Sequence, residues 1–573
     1  MTPNVGSITL WAAFGLALAG TTIAHRSIRV SRGLVRLAAA ATTLSALVLS
    51  ISALGEDYYL AYIADNVRSD DEWPFRLASI WAGAEGSLLV FSAIVAVTIS
   101  ASAPSRSGPL MAVGATITVL TATSALASNP FARLDITPLD GAGSTPILDH
   151  PAMLVHPPLL YLGMALALVP ALAPAGSRVG VVSARASFTL LTAALALGAA
   201  WAYVELGWGG WWAWDPVENV ALVCWLLLAA SFHIGPRSGA AQVTHLALWS
   251  AVFAGAALTR TSLRTSVHAF ADATAIGWGL WPLTAAAVAA AIVAAWRRGT
   301  GRRLTPPKLW RTLAPGALVA SAVIVAVGTY RPLMPGGATA GWFYARTLYP
   351  MLVFALPAMG LLRPGVSRPS TRSFVFLAAG FTAGLTTAAM TGATELPQLV
   401  LAAGVGAGSA SLLDPPWNGR TIAHAGVFVV VIGILGATAS TTATRTVETG
   451  STTSVAGHVV RLDSVQVVET EPVRVEAWFD VDGRATSSSI VQYPARGIRL
   501  TETGTVTTIW TDVQVVLRTA DNSGTAVVMV NVQPLTSAVW IGSAIVGLGA
   551  VMSTRQRHRD RNHAAGNRSQ QTV

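Results

Sequence analysis

The chain has 573 residues, of which 53% are hydrophobic and 11% charged, and its formal net charge is +10. This composition lies outside the range of soluble globular domains and marks a polytopic membrane protein. The basic residues are spread over short loops and a tail, a membrane-topology pattern that speaks against nucleic acid as a partner, and the single cysteine, Cys224, excludes an internal disulfide, a CxxC pair and a thiolate metal cluster.

Apolar segments of roughly 20 residues, enough to cross a bilayer, recur near 5–24, 34–54, 79–99, 108–127, 158–174, 186–204, 220–236, 241–260, 276–296, 312–328, 346–362, 373–390, 396–413, 421–439 and 535–553. The expected fold class is therefore a polytopic all-α membrane protein of about fifteen transmembrane helices. The first segment lacks a basic stretch before it, so no cleavable signal peptide is expected. Alternate loops hold Arg26, Arg29, Arg32 and Arg36; Arg106; Arg178 and Arg185; Arg237; the cluster from Arg297 to Arg311; Arg363, Arg368 and Arg372; and Arg420. By the positive-inside rule these loops are cytoplasmic, which puts the N-terminus outside and the C-terminus inside.

Between the sixth and seventh segments the chain reads Trp208-Gly209-Gly210-Trp211-Trp212-Ala213-Trp214-Asp215-Pro216-Val217-Glu218-Asn219. Four tryptophans flanked by glycine make an aromatic platform at the outer membrane surface, with Asp215, Glu218 and Asn219 as polar handles. A flat conjugated ligand such as a porphyrin suits it. Residues 440–534 differ in character. They alternate imperfectly between apolar and polar, are rich in β-branched residues, and contain the hairpin signals Asp480-Val481-Asp482-Gly483 and Asp521-Asn522-Ser523-Gly524. The expected organisation is a transmembrane domain over 1–439 carrying the tryptophan loop at 205–219, a small extracytoplasmic β-domain over 440–534, a last helix over 535–553 and a basic cytoplasmic tail over 554–573.

Two histidines fall on the outer side near the loop: His156 at the mouth of the fifth span and His268 just beyond the eighth. Neutral imidazoles flanking an aromatic shelf suit axial ligation of haem iron; either alone reads first as an interfacial histidine, and the tryptophan loop reverses that. His233 and His424 fall at matched depth in the inner leaflet on different spans, where ionisable residues are functional candidates. His25, His150 and His245 are weaker candidates. Arg260, Arg264 and Arg331 are cations on the outer side able to pair with haem carboxylates.

Together these residues resemble the haem-handling superfamily that carries a tryptophan-rich WWD loop, and within it the cytochrome c maturation protein F family. The matching pieces are Trp81-Ala82-Gly83-Ala84-Glu85-Gly86-Ser87-Leu88-Leu89, Asn129-Pro130-Phe131, His156-Pro157-Pro158-Leu159-Leu160-Tyr161, and Trp201 to Gly207 running into the loop. Arg260, Leu263 to Ala271, Ala423-His424-Ala425-Gly426 and Pro534 to Gly549 continue the match in the same order. Thr261, Arg264 and Ala84 depart from the usual pattern, and the loops are short.

The resemblance implies a cytochrome c haem lyase of the holocytochrome c synthetase type, acting within a complex in the bacterial plasma membrane. It implies covalent attachment of haem vinyl groups to the CxxCH thiols of apocytochrome c on the extracytoplasmic face. His156 and His268 become the catalytic pair at the processed haem, and His233 and His424 the axial ligands of a resident haem b. Trp208, Trp211, Trp212, Trp214, Asp215, Glu218 and Asn219 become haem contacts. The implied partners are a haem chaperone, apocytochrome c, thiol-reducing maturation proteins and the lipid bilayer. The competing readings are a haem transporter, a protein that loads haem onto a chaperone, and a quinone-coupled respiratory subunit. The last is disfavoured because the spans hold almost no Asp or Glu.

Overall fold

The structure, a computed structural model, describes residues 2–102, 104–261, 266, 273–297, 306–333, 339–361, 418–469, 472–494, 497–521 and 523–570, with a few positions between 375 and 406. Among the described residues, twelve helices are long and apolar enough to cross a membrane. They match twelve of the expected segments. The expected span at 346–362 falls on a helix, Gly341–Leu361, that is not among the twelve. Those at 373–390 and 396–413 lie largely outside the described residues. The chain divides into two compact units, one of Met1–Leu195 and Trp214–Tyr344, the other of Ala196–Ala213 and Ala345–Val573.

The first unit contains α1 (Thr2–Ile23), α2 (Ile28–Leu54), the short α3 (Ala61–Asn66) and α4 (Trp73–Ala78), α5 (Ala84–Ala101), α6 (Ser107–Leu126) and α7 (Ala152–Leu172). It continues with most of α8 (Arg178–Glu205), then α9 (Pro216–His233), α10 (Gly239–Leu258), α11 (Thr274–Arg297) and α12 (Pro306–Tyr330). Helix α2 begins earlier than its apolar run. Ser27 caps it by accepting from the Val30 N–H, so Arg29, Arg32 and Arg36 belong to its first turns. The connections after α2 and α6 are joined to each other. Ala61 N donates to the Ala132 carbonyl at 2.9 Å, and Asp140 accepts from the Ser69 N–H and hydroxyl, both at 2.9 Å. Those donors hold the Asp140 carboxyl down at about 2.

In the second unit the strands run from Thr441 to Pro534 as two antiparallel sheets. Their elements are β1 (Thr441–Glu448), β2 (Thr452–Val455), β3 (His458–Val468), β4 (Val473–Val481), β5 (Arg484–Tyr493), β6 (Ile498–Glu502), β7 (Gly504–Thr507), β8 (Thr511–Ala520) and β9 (Thr525–Pro534). The orders are β1-β9-β8-β7 and β2-β3-β4-β5-β6. Val460, Phe479 and Ile490 from one sheet share a core with Val513, Val515, Val528 and Val530 from the other. Asp482 and Gly483, at φ 52° and 81°, make the two-residue turn between β4 and β5. Asp521 turns the chain between β8 and β9 by accepting from the Ser523 and Thr525 N–H groups.

Two helices of this unit, α14 (Gly419–Thr438) and α15 (Thr536–Gln570), pack backbone to backbone; α13 is Gly341–Leu361. A Cβ added at Gly426 would lie 2.5 Å from the Val546 nitrogen, at Gly542 2.5 Å from that of Val430, and at Gly549 2.2 Å from that of Ala423. Small residues at an interface of this kind let apolar helices associate where water supplies no driving force. Gly426→Val is expected to destabilise the pair by about 1–3 kcal/mol through overpacking. Gly547→Val, where a Cβ meets nothing within 4 Å, serves as the control. Thermal unfolding in detergent should separate the two, with a lower Tm for the first variant alone.

Candidate functional site

The tryptophan loop leaves the end of α8 through Gly207 and Gly209, at φ +58° and +83°, a conformation that favours glycine. It enters α9 through Trp214, which also takes a positive φ of 58°. A bulky residue there costs on the order of 1–3 kcal/mol and persists only where its surroundings over-determine it. The Trp214 surroundings do so. Its ring stacks on Tyr344 with centroids 4.2 Å apart and planes 9° off parallel. Its carbonyl accepts from Asn219 Nδ2 at 2.9 Å. Next to it, Asp215 accepts from the Val217 N–H at 2.8 Å, and Glu218 accepts from the Asp215 N–H, forming a capping box at the start of α9.

Asp215 and Asn219 are therefore buried positioners of the loop backbone, 5% and 1% exposed. The expectation had them as handles toward a ligand. Among the tryptophans, Trp208 is exposed, while Trp211, Trp212 and Trp214 are half-buried.

The first half of the loop, through Ala213, belongs with the β-strands and α15. Tyr203 donates its hydroxyl to Asp512 at 3.0 Å, and Gln514 Nε2 donates to the Tyr203 carbonyl at 2.8 Å. Gln533 Nε2 donates to the Gly209 carbonyl. Burial pushes the Asp512 carboxyl up, against the lowering by its bonds from Tyr203 and Thr507. Trp540 of α15 meets Tyr203 at 6.1 Å and Trp211 at 6.4 Å, both edge-on. Sequence reasoning missed these residues. The alternation of Asp512 and Gln514 with Val513 and Val515 reads as a solvated outer strand face, yet Asp512, Gln514, Asn531 and Gln533 are all buried.

His156 lies on the first turns of α7, which starts at Ala152, ahead of Pro157 and Pro158. Its Nδ1 is 3.0 Å from the Ala194 carbonyl. A carbonyl only accepts, so Nδ1 carries the proton and the lone pair sits on Nε2. Pro157 has no N–H for the Met153 carbonyl four residues back. The indole of Trp81 donates to that carbonyl instead, at 3.1 Å. His233, the last residue of α9, sets its Nδ1 2.8 Å from the Ala229 carbonyl, which again places the lone pair on Nε2. His424 is half-buried on α14. His268 and Arg264 lie outside the described residues.

Arg260, expected on the outer side as a partner for a haem carboxylate, is enclosed by protein. It is 4% exposed, and donates to Ser87 Oγ at 2.6 Å and to the Ala256 carbonyl and Thr259 Oγ1, both at 3.1 Å. Burial pulls its guanidinium down, opposed by Tyr161, Glu85 and Tyr62. The segment Trp81 to Leu89 closes over it. At Gly86 a Cβ would lie 2.3 Å from the Ile80 carbonyl, so this close approach requires glycine. Arg331 is exposed after α12.

A family model described as cytochrome C assembly protein matches residues 174–259, the stretch that contains the tryptophan loop and α9. The cytochrome c-type biogenesis protein CcmF of Pseudomonas aeruginosa is 28% identical over 97% of this chain and 97% of its own. The cytochrome c-type biogenesis protein ccl1 of Rhodobacter capsulatus is 30% identical over 94% and 91%. The solved structure of the cytochrome c heme lyase CcmF has this fold, with a TM-score of 0.78, 21% identity, and coverage of 96% of this chain and 98% of that one. Fold and loop thus define a multi-span membrane protein of cytochrome c biogenesis. The chain belongs to the CcmF family.

Trp81→Phe removes the donor to the Met153 carbonyl while keeping an aromatic ring. The orphaned carbonyl is expected to cost about 1–3 kcal/mol, read as a lower Tm in detergent, with no comparable effect from Trp296→Phe at an exposed position.

Proposed function

We propose that this protein is the haem lyase component of a cytochrome c maturation complex in the bacterial plasma membrane, with its site on the extracytoplasmic face. The arginine pattern supports an N-out, C-in topology, which puts the tryptophan loop and the β-domain over 440–534 outside. The observation that carries the reading is the loop itself. Its tryptophans stand on a backbone pinned at Tyr203, Gly209 and Trp214, the rigid support that a positioning catalyst needs.

The reaction adds each thiol S–H of the apocytochrome CxxCH site across a haem vinyl double bond. Sulfur bonds to one vinyl carbon, hydrogen to the other, and no net electron is transferred. The tryptophans Trp208, Trp211, Trp212 and Trp214 orient the macrocycle and exclude water. His156, with its lone pair on Nε2, and His268 position the haem iron. Arg331 takes a haem carboxylate, with Arg264 as a second candidate. Asp215, Glu218 and Asn219 hold the loop. Cys224 is a single buried thiol, so reduced apocytochrome comes from separate thiol-reducing partners, and haem from a chaperone.

We further propose a resident haem b with His233, at the end of α9, and His424, on α14, as its axial ligands. Such a haem supplies one-electron reducing capacity when bound. Purified protein should show a b-type reduced-minus-oxidised spectrum that disappears in His233→Ala or His424→Ala. A colourless preparation from haem-replete cells counts against the resident haem. In a host without its own pathway, His156→Ala and His268→Ala should each lower covalent cytochrome c formation at least tenfold. Intact attachment in both variants removes them from the site.

A further inference from the structure

The outer face of the four-stranded sheet is unusual for a strand face that alternates with a hydrophobic core. Val513, Val515, Val528, Val530 and Val532 point into the sandwich, so Asp512, Gln514, Asn531 and Gln533 point the other way. Solvent is the ordinary neighbour of such residues, yet each is at most 1% exposed. What covers them is the end of α8 and the first half of the tryptophan loop.

The bonds across this contact go to atoms that need them. The Tyr203 carbonyl sits in the last turn of α8, where helix carbonyls lack intrahelical partners, and Gln514 donates to it at 2.8 Å. The Gly209 carbonyl lies in irregular chain and takes the Gln533 amide. Asp512 accepts the Tyr203 hydroxyl at 3.0 Å. Gly209 comes so close that a Cβ there would lie 2.4 Å from Asn531 Nδ2. Among the described residues the Asn531 side-chain amide has no hydrogen-bond partner, which leaves a donor and an acceptor beside the loop backbone. Trp540 completes the contact by packing on both Tyr203 and Trp211.

The geometry points to Tyr203, Asp512, Gln514 and Gln533 as positioning residues: the β-domain sets the backbone of the first half of the tryptophan loop, and with it Trp208 and Trp211. This deepens the haem reading above and rests on it for the identity of the ligand, but not for the contact itself.

The test uses the full chain in detergent and hydrogen exchange of the backbone over 206–213. Asp512→Ala, Tyr203→Phe and Gln533→Ala should speed loop exchange at least tenfold, while exchange over β3 and β4 stays at the wild-type rate. Asp512→Asn keeps an acceptor for the Tyr203 hydroxyl and should restore near-wild-type protection. Loop exchange unchanged in all three variants overturns the assignment. So does loosening that appears only together with β3 and β4, since that reports a damaged fold. A parallel haem titration, followed by the Soret band, should show a shifted maximum in Tyr203→Phe and none in Asp512→Asn. If the wild type takes up no haem at this loop while the exchange pattern holds, the haem reading fails and the positioning role stands.

Discussion

Backbone N–H and C=O groups taken out of water must find partners inside the protein, and this requirement organises the whole molecule. In the spans the helices meet it by themselves. Where the chain leaves helical geometry, side chains take over. Three carbonyls around the tryptophan loop, those of Tyr203, Gly209 and Trp214, each accept from a side-chain amide, those of Gln514, Gln533 and Asn219. The same device recurs in α7, where Pro157 cannot bond to the Met153 carbonyl and the Trp81 indole does.

Within each unit these bonds fix the part of the irregular loop that belongs to it. Without them, a run of glycine and tryptophan would sample many conformers, and aromatic faces would offer no defined surface. With them, Trp214 is held at a positive φ against Tyr344, and Trp211 against Trp540. Rigidity of this kind suits the positioning role proposed for the loop. The tautomers of His156 and His233 follow the same logic. Each sets its Nδ1 against a helix carbonyl, which fixes the ring orientation.

Much of this was legible before any coordinates. Twelve of the apolar runs match the membrane-length helices among the described residues, because hydrophobic length is a local property. The Asp482-Gly483 turn followed from turn chemistry, and the loop was visible from its composition. The enclosure of Arg260 is not legible in the sequence. The residue stands at the outer end of an expected span, but Ser87 and Tyr161, far away in sequence, enclose it. The burial of Asp512 and Gln514 is not legible in the sequence, because polar alternation on a strand says only that two faces differ, not what covers the second.

By itself, then, the sequence determined which stretches enter the membrane, where β-strands begin, which family the chain resembles and which loop is aromatic. Each of these depends on residues near one another along the chain. Tertiary structure decided what holds the loop: Gln514 meets Tyr203 and Gln533 meets Gly209 from more than 300 residues away. Hydrophobic pattern cannot specify such pairs, because a buried amide is favourable only where a particular carbonyl, orphaned by the local backbone, stands within bonding distance.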